Sequence, residues 1–266
     1  MAEFKQDRDR KVVLITGASS GIGRSTALCL AAEGMRVALA ARREGLLQQT
    51  AAEIQAAGGE VLVLPTDVCS TEAIHKMVKA ALEQWGQIDV LINNAGVIYD
   101  RPVVALKPDQ LRQEVAVNLT AVIECSQAVL PAMVRRGFGH IINVSSIAGL
   151  IGLPGTSLYS ATKFGVIGFS EALMREVRRY HIRVTAFCPG YVTTNFSPFL
   201  EKVSAGEKGV RKPIGLMTPE YIAKRLARVI HHPRRQVILP YIWSLLAAGA
   251  RMSPDIASHI VPWFIP

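Results

Sequence analysis

The chain has 266 residues, of which 50% are apolar and 19% are charged, and this composition excludes a disordered chain. Its 21 glycines and 14 prolines are ordinary for this length, which excludes collagen-like and low-complexity classes. The formal net charge is +9, but the basic residues are dispersed and do not alternate with aromatic ones, so we expect no nucleic-acid partner.

Short apolar runs alternate with helical patterns through the chain. The runs that predict strands cover residues 12–16, 37–41, 61–64, 88–92, 140–144, 183–187 and 237–239. The patterns that predict helices cover residues 22–33, 45–57, 70–85, 109–136, 158–180 and 219–230. Because the runs lack polar alternation, they are typical of strands buried on both faces of a parallel sheet. We therefore predict one α/β domain over residues 1–266, a doubly wound parallel sheet of about seven strands with helices on both faces.

A glycine-rich turn follows the first predicted strand and opens the first predicted helix. It reads TGASSGIG over residues 16–23. In a doubly wound sheet, ligands bind at the carboxyl ends of the strands, where this turn lies. Glycines let the backbone approach a pyrophosphate, and the helix N-terminus offers unpaired amides to it. A tight turn without a ligand is the alternative, but the position in the first strand–helix unit favours phosphate binding.

Further motifs follow the later predicted strands in a fixed order. They are NNAG at residues 93–96, Asn118 in the long helix, NVSS at 143–146, YxxxK from Tyr159 to Lys163, and PGYVTT at 189–194. With the GxxxGxG spacing of the first turn, they resemble the short-chain dehydrogenase/reductase family over about residues 10–240. The resemblance implies a Rossmann-like fold, a nicotinamide cofactor, and hydride transfer between that cofactor and a carbonyl or secondary alcohol.

Tyr159 and Lys163 are four residues apart, so they share one face of a helix. A free phenol has a pKa of about 10 and is a poor base at neutral pH. An ammonium about 5 Å away would lower the pKa of the phenol by about 2 units at an effective dielectric of about 20. We therefore expect Tyr159 to be the general acid or base and Lys163 to lower its pKa.

Two more side chains complete the catalytic set that the resemblance implies. Ser146 precedes Tyr159 by thirteen residues and is expected to orient the substrate oxygen, whereas Ser145 would point to the opposite side of an extended chain. Asn118 matches the family position at which the helix bends around a water that leads to the lysine. A plain polar contact inside the helix remains the alternative for Asn118.

The residues after the second predicted strand indicate which nicotinamide cofactor is used. An acidic side chain there binds the ribose 2′-hydroxyl of NAD and repels the 2′-phosphate of NADP. This chain has Ala41 at that position, followed by Arg42 and Arg43, and guanidinium groups bind phosphate. Many NADP-preferring relatives carry Lys or Arg where this chain has Ser20, which can still donate a hydrogen bond. We predict NADP(H), with two solvated arginines as the alternative.

The cofactor contacts that follow from the resemblance lie after strands one to six. The expected set is Gly17, Ser19, Ser20, Gly21, Ile22, Gly23, Arg42, Arg43, Asp67, Val68, Asn94, Ala95, Gly96, Tyr159, Lys163, Pro189, Gly190, Val192 and Thr194. No metal enters the expected reaction, because the chain has no HxxH motif and no carboxylate cluster. Metal-assisted hydrolysis is therefore disfavoured as an alternative chemistry.

Two late segments concern the substrate and the assembly. Residues 195–218 follow strand six at the ligand edge and are expected to form a substrate loop, whose aromatic side chains predict an apolar substrate. The apolar extension over residues 241–266 is expected to pack against the substrate edge or a partner subunit, which predicts a homodimer or homotetramer. Peripheral membrane contact through this extension is the less favoured alternative.

The cellular setting follows from the cysteines and the N-terminus. Four scattered cysteines form no metal or disulfide pattern, and the charged N-terminus has no apolar signal region, so we expect a cytoplasmic protein. Two other classes of function remain as alternatives. One is a nucleotide-sensing regulator without turnover, which the presence of Tyr159 and Lys163 disfavours, and the other is a basic interaction protein.

Overall fold

The computed structural model describes residues 10–194, 196, 198–207 and 213–252. Its seven strands are β1 (Val12–Thr16), β2 (Arg36–Ala41), β3 (Val61–Pro65), β4 (Val90–Asn93), β5 (Gly139–Val144), β6 (Ile182–Pro189) and β7 (Gln236–Leu239). They form one parallel sheet in the order β3-β2-β1-β4-β5-β6-β7. The predicted doubly wound, Rossmann-like sheet is confirmed. The single-domain organisation over residues 1–266 stays a prediction, since both chain ends lie outside the described residues.

Nine helices of the described residues connect and flank these strands. They are α1 (Gly21–Ala32), α2 (Glu44–Ala56), α3 (Thr71–Trp85), α4 (Pro108–Val115), α5 (Ala121–Arg136), α6 (Ser157–Val177), α7 (Pro198–Ala205), α8 (Pro219–His231) and α9 (Ile242–Met252). Short turns of 3₁₀ helix cover Val103–Ala105, Ile147–Gly149 and Arg178–Tyr180. The last of these was predicted as the end of a longer α-helix.

Helices cover both faces of the sheet because the buried strands are apolar on both sides. Leu30 of α1 and Leu226 of α8 pack on one face, and Met77 of α3 and Leu173 of α6 pack on the other. Leu14 of β1 belongs to the second cluster, whereas its chain neighbours belong to the first, as the alternation of a strand requires. This arrangement removes both sides of the sheet from water and leaves its ends accessible.

The sheet reverses its strand order at β1, which lies between β2 and β4. The connection from β1 leads to one side of the sheet, and the connection from β4 leads to the other. The loops after these two strands therefore separate and leave a crevice at the carboxyl ends, where doubly wound sheets bind their ligands. All the sequence motifs that follow strands one to six converge on this crevice.

The helix predicted as continuous over residues 109–136 contains a π-helical turn, Ala116–Thr120, between α4 and α5. The spacing of apolar residues does not reveal one widened turn, and Asn118 in this turn makes the side-chain contacts described below. By length and composition, the stretch Pro108–Arg136 is apolar enough to cross a membrane, but half of its apolar 18-residue window is buried inside the domain. The packing of α5 against the sheet therefore identifies it as a core helix.

The substrate loop contains a helix that sequence patterns did not indicate, and the C-terminal extension also contains a helix. The loop includes α7, whose Leu200 and Val203 are buried three residues apart on one face. Eight residues are too few for a clear helical period. In the extension, Trp243 and Ala247 of α9 are buried against Ile147 and Cys188. The extension thus packs beside the carboxyl ends of the strands, and residues 253–266 lie outside the described part of the chain.

We expect Trp243→Ala to destabilise the protein by about 4 kcal/mol, because removal of a fully buried Trp leaves a cavity. Trp243 is only 1% exposed, whereas Leu245 on the same helix is 58% exposed. Leu245→Ala is therefore the matched control and is expected to stay within about 0.5 kcal/mol of the wild type. Chemical denaturation of the three proteins measures both values. Equal stability of the two variants would show that α9 does not support the fold.

Candidate active site

The glycine-rich turn after β1 is shaped by close backbone contacts. Gly17 has a φ of +69°, and a Cβ atom there would lie 2.8 Å from the Cα atom of Ala95. A Cβ atom on Gly23 would lie 2.3 Å from the carbonyl oxygen of Gly17. Gly23 does not line the cleft, and its predicted cofactor contact stays a prediction. Its role is to let α1 pack against the turn, because only hydrogen fits in that space.

Thr16 and Asn94 join this turn to the loop after β4. The Oγ1 atom of Thr16 accepts hydrogen bonds from the backbone N–H groups of Asn94 and Ala95, at 3.0 and 3.1 Å. The side-chain amide of Asn94 donates in return to the carbonyl oxygens of Thr16 and Gly17, at 3.0 and 3.2 Å. The NNAG motif therefore holds the two walls of the crevice together. Thr16 was not among the predicted site residues, because a threonine at a strand end carries no distinctive pattern.

A cleft of about 660 Å³ runs along the crevice from α1 to α6. Every predicted cofactor contact except Gly23 lines it: Gly17, Ser19, Ser20, Gly21, Ile22, Arg42, Arg43, Asp67, Val68, Asn94, Ala95, Gly96, Tyr159, Lys163, Pro189, Gly190, Val192 and Thr194. The lining residues missed by sequence reasoning include Thr66, Val117 and Thr193. These small or apolar residues lie beside the motifs in the sequence, and only their position in the folded chain shows that they line the cleft.

The residues of this cleft fit a nicotinamide dinucleotide. The N-cap of α1, Ser20, makes no side-chain capping bond, so the first amides of α1 remain available to an anion. A Cβ atom on Gly21 would lie 3.1 Å from Thr194, so the glycine keeps this wall open. A pyrophosphate can therefore approach the helix end, while the adenosine half would lie near Asp67 and Val68 beyond β3.

The end of β2 is basic. The guanidinium of Arg43 donates to the hydroxyl oxygens of Ser19 and Ser20, at 3.0 and 2.6 Å. Arg42 and Ala41 also line the cleft, and the Asp67 carboxylate accepts a hydrogen bond from the backbone of Cys69. The two arginines thus face the cleft at the point where the ribose of a dinucleotide would lie. This placement requires the fold, because β2 and the glycine-rich turn are separated in the chain.

Tyr159 and Ser146 lie where the cleft meets a second, apolar pocket of about 230 Å³, and both residues line both spaces. Ser146 hydrogen-bonds with the Tyr159 phenol. The neighbouring Ser145 is buried and donates instead to the backbone carbonyl of Lys163, at 2.9 Å. The two serines therefore point in different directions, and Ser146 is the one placed beside the reactive tyrosine.

Burial raises the pKa of Tyr159 above its ordinary value, and the hydrogen bond from Ser146 only partly opposes this. Sequence reasoning predicted that Lys163 lowers this pKa, and the contribution of the ammonium itself stays a prediction. The Nζ atom of Lys163 lies 5.5 Å from the ring centroid, where an ammonium favours the phenolate, and burial of the phenol acts in the opposite direction.

Lys163 is nearly completely buried, and its Nζ atom donates to the carbonyl oxygen of Val144 at 3.0 Å. Burial lowers the pKa of Lys163 to about 8, while the negative forms of Cys188 and Glu114 act in the opposite direction. An ammonium has three donors, so two remain beyond the one that Val144 receives. Because Lys163 lines the cleft, these donors are available to hydroxyl groups of a bound ligand.

Asn118 lies in the π-helical turn and is fully buried. Its side-chain amide donates to the carbonyl of Val97 at 2.8 Å and accepts from the N–H of Val97 at 2.9 Å. It also donates to the hydroxyl of Thr162 at 3.4 Å. Asn118 does not line the cleft, so this side chain tethers the loop after β4 to the long helix and to α6.

Apolar and aromatic side chains dominate the second pocket. Phe196 packs edge-to-face on Tyr159, with ring centroids 6.0 Å apart, and Phe199 packs in the same way on Tyr191, at 6.1 Å. Residues 195–218 supply Phe196, Phe199 and Leu200 to this pocket. Asp100 lies among the pocket residues as a charged exception. The pocket therefore suits an apolar molecule that presents one polar group to Ser146 and Tyr159.

The fold and the site together define an α/β oxidoreductase with a dinucleotide cleft. The family model of short chain dehydrogenase matches residues 11–203. A 3-oxoacyl-[acyl-carrier-protein] reductase from Synechocystis sp. is 38% identical over 188 residues, which cover 70% of this chain and 76% of the relative. The ketoacyl reductase HetN from Nostoc sp. is 33% identical over 260 residues, covering 96% and 89%. This chain belongs to the short-chain dehydrogenase/reductase family and is an enzyme.

Solved structures show the same architecture. A metagenomic short-chain oxidoreductase in complex with NADP matches with a TM-score of 0.73 and 32% identity, covering 86% of this chain and 96% of that chain. A short-chain dehydrogenase/reductase from Burkholderia phymatum in complex with NAD matches with a TM-score of 0.84 and 26% identity, covering 94% and 96%. Both nicotinamide cofactors thus occur among structures similar to this one.

Proposed function

We propose that this enzyme transfers a hydride between NADP(H) and a carbonyl or secondary alcohol on an apolar small molecule. The observation that carries the proposal is the position of Tyr159 and Ser146, which line both the dinucleotide cleft and the apolar pocket. A substrate oxygen in the pocket would meet both hydroxyl groups beside the cofactor space. Tyr159 then acts as the general acid or base, Ser146 orients the substrate oxygen, and Lys163 and Asn118 support them.

A protonated Tyr159 suits the reduction of a carbonyl group, because reduction needs a proton donor beside the substrate oxygen. Burial raises the pKa of this phenol, so it carries the proton that a developing alkoxide needs. Ser146 donates a second hydrogen bond to the same oxygen and stabilises its negative charge. The nicotinamide, when bound, supplies the hydride. For oxidation of an alcohol, Tyr159 must first lose its proton, which the positive charge of Lys163 assists.

The preference for NADP(H) rests on the basic end of β2. Ala41 has no carboxylate to repel a 2′-phosphate, and Arg42 and Arg43 offer two guanidinium groups beside the cleft. Ser20 already accepts a hydrogen bond from Arg43 at 2.6 Å, so the serine and the arginine form one polar wall. A phosphate at this wall would receive charged hydrogen bonds, which are about twice as strong as neutral ones.

We also propose a homodimer or homotetramer in the cytoplasm, without nucleic acid as a partner. Apolar side chains are exposed on neighbouring helices, with Ile123 of α5 39% exposed and Phe164 of α6 41% exposed. The exposed Tyr241, Ile242 and Leu245 at the start of the extension form a second apolar surface. Large exposed apolar patches mark contact sites, so one of these surfaces is expected to be covered by a second subunit. The alternative is that the apolar surface of the extension contacts a membrane.

A coupled screen tests the proposed reaction. The purified enzyme is incubated with NADPH and a panel of aldehydes and ketones, and with NADP and the corresponding secondary alcohols, while NADPH absorbance is followed. We expect turnover with apolar substrates and faster turnover with NADPH than with NADH. Tight NADPH binding without turnover on any member of the panel would favour the non-catalytic regulator instead.

A further inference from the structure

Glu114 is a buried carboxyl group that the proposed reaction does not use. It lies in the last turn of α4, directly before the π-helical turn, and is 0% exposed. Its Oε2 atom accepts a hydrogen bond from the backbone N–H of Tyr99 at 3.2 Å. Among the described residues, its Oε1 atom has no hydrogen-bond partner. A buried carboxylate with one unpaired oxygen is costly, so its retention requires a physical reason.

The helix that carries this carboxyl group packs against a helix of the reacting centre. Helix α6 packs against α4 and carries Lys163 and Tyr159. The Lys163 ammonium lowers the pKa of Glu114, while burial acts more strongly and raises it to about 7. In return, the Glu114 carboxylate raises the pKa of Lys163 and of Tyr159. Cys188 of β6 is the other group that supports the charge of Lys163.

We propose that Glu114 is a positioning residue, whose buried carboxylate is the counter-charge that holds Lys163 as an ammonium and Tyr159 as a phenol. The inference rests on the proposed roles of Tyr159 and Lys163. Glu114 lines neither the cleft nor the apolar pocket, so it acts through these two side chains and not on the substrate. Helix α4 thereby contributes to the chemistry without touching the reacting atoms.

Glu114→Gln separates this role from a structural one. Glutamine has nearly the same shape, and its side-chain oxygen can still accept the hydrogen bond from Tyr99. Only the negative charge is lost. Without that charge, the pKa values of Lys163 and Tyr159 both fall, because each loses a negative neighbour that opposed deprotonation. The kcat for carbonyl reduction falls at alkaline pH, and both pKa shifts move this fall to lower pH.

The experiment compares pH profiles of carbonyl reduction for the wild type, Glu114→Gln and Glu114→Asp. We expect the alkaline limb of kcat to move down by about one pH unit in Glu114→Gln, with KM changed less than about twofold. Glu114→Asp keeps the charge and is expected to keep the position of the limb. Tyr99→Phe is the matched control, since it removes the hydroxyl bond to Gln113 in the same contact region without changing the charge. Coincident profiles for the wild type and Glu114→Gln would overturn the proposal.

Two measurements without turnover complete the test. Ultraviolet absorbance of phenolate, taken as the difference from Tyr159→Phe in each background, is expected to appear at lower pH in Glu114→Gln.

If Glu114→Gln does not fold, carboxyl NMR of the wild type and of Lys163→Met replaces the absorbance measurement. The pKa of Glu114 is then expected to be higher in Lys163→Met than in the wild type. An unchanged Glu114 pKa there rejects the coupling. If no substrate is reduced but the phenolate still shifts, only the proposed function fails.

Discussion

Tyr159→Phe is expected to lower kcat by about 10²- to 10⁴-fold, which is the usual contribution of a positioned general acid. Among the described residues, Tyr159 is the only tyrosine that lines both the cleft and the apolar pocket, and the substitution removes its hydroxyl group while the ring and its packing on Phe196 remain. Because Lys163 and the glycine-rich turn are untouched, the Kd for NADPH is expected to change by less than about threefold. The loss therefore falls on the chemical step and not on cofactor binding.

Single-turnover kinetics and fluorescence titration with NADPH measure the two quantities separately. Tyr221→Phe is the matched control, because this tyrosine is 46% exposed on α8 and the chemical change is identical. It is expected to leave kcat and Kd unchanged. If Tyr159→Phe kept more than about a tenth of kcat, general acid catalysis by this residue would be rejected.

Replacement of both Arg42 and Arg43 by alanine is expected to weaken NADPH binding by about 100-fold or more. A hydrogen bond to a charged group contributes about 1.5–3 kcal/mol, so each arginine accounts for about one to two powers of ten. NADH has no 2′-phosphate, so its affinity is expected to change by less than about threefold. The preference for NADPH over NADH should then disappear or reverse.

The control for this double variant is the joint replacement of Arg234 and Arg235 by alanine. These exposed arginines precede β7, at the opposite end of the sheet, and their removal lowers the net charge by the same amount. Titration of both cofactors into each protein distinguishes local contacts from long-range attraction. Single variants then divide the effect between Arg42 and Arg43. Equal weakening of NADPH and NADH would show that the arginines do not recognise a 2′-phosphate.

The amino-acid sequence by itself determines the sheet and most of the cleft. Continuous apolar runs are sufficient to predict all seven strands, because a strand that is buried on both faces consists mainly of apolar residues. The glycines of residues 17–23 and the four-residue spacing of Tyr159 and Lys163 are local patterns. A local pattern has the same geometry wherever the helix or turn is placed, so these site residues could be named before the fold was known.

The tertiary structure alone decides the electrostatics of the centre. The direction of the Tyr159 pKa shift depends on burial, which the chain achieves only when α6 packs beside β5 and the substrate loop. Glu114 reaches the field of Lys163 because α4 packs on α6, although the two residues are distant in sequence. The packing role of Gly23 likewise depends on a backbone atom across the turn. Desolvation and Coulomb interactions arise between elements that only the fold brings together, and spacing along the chain does not contain them.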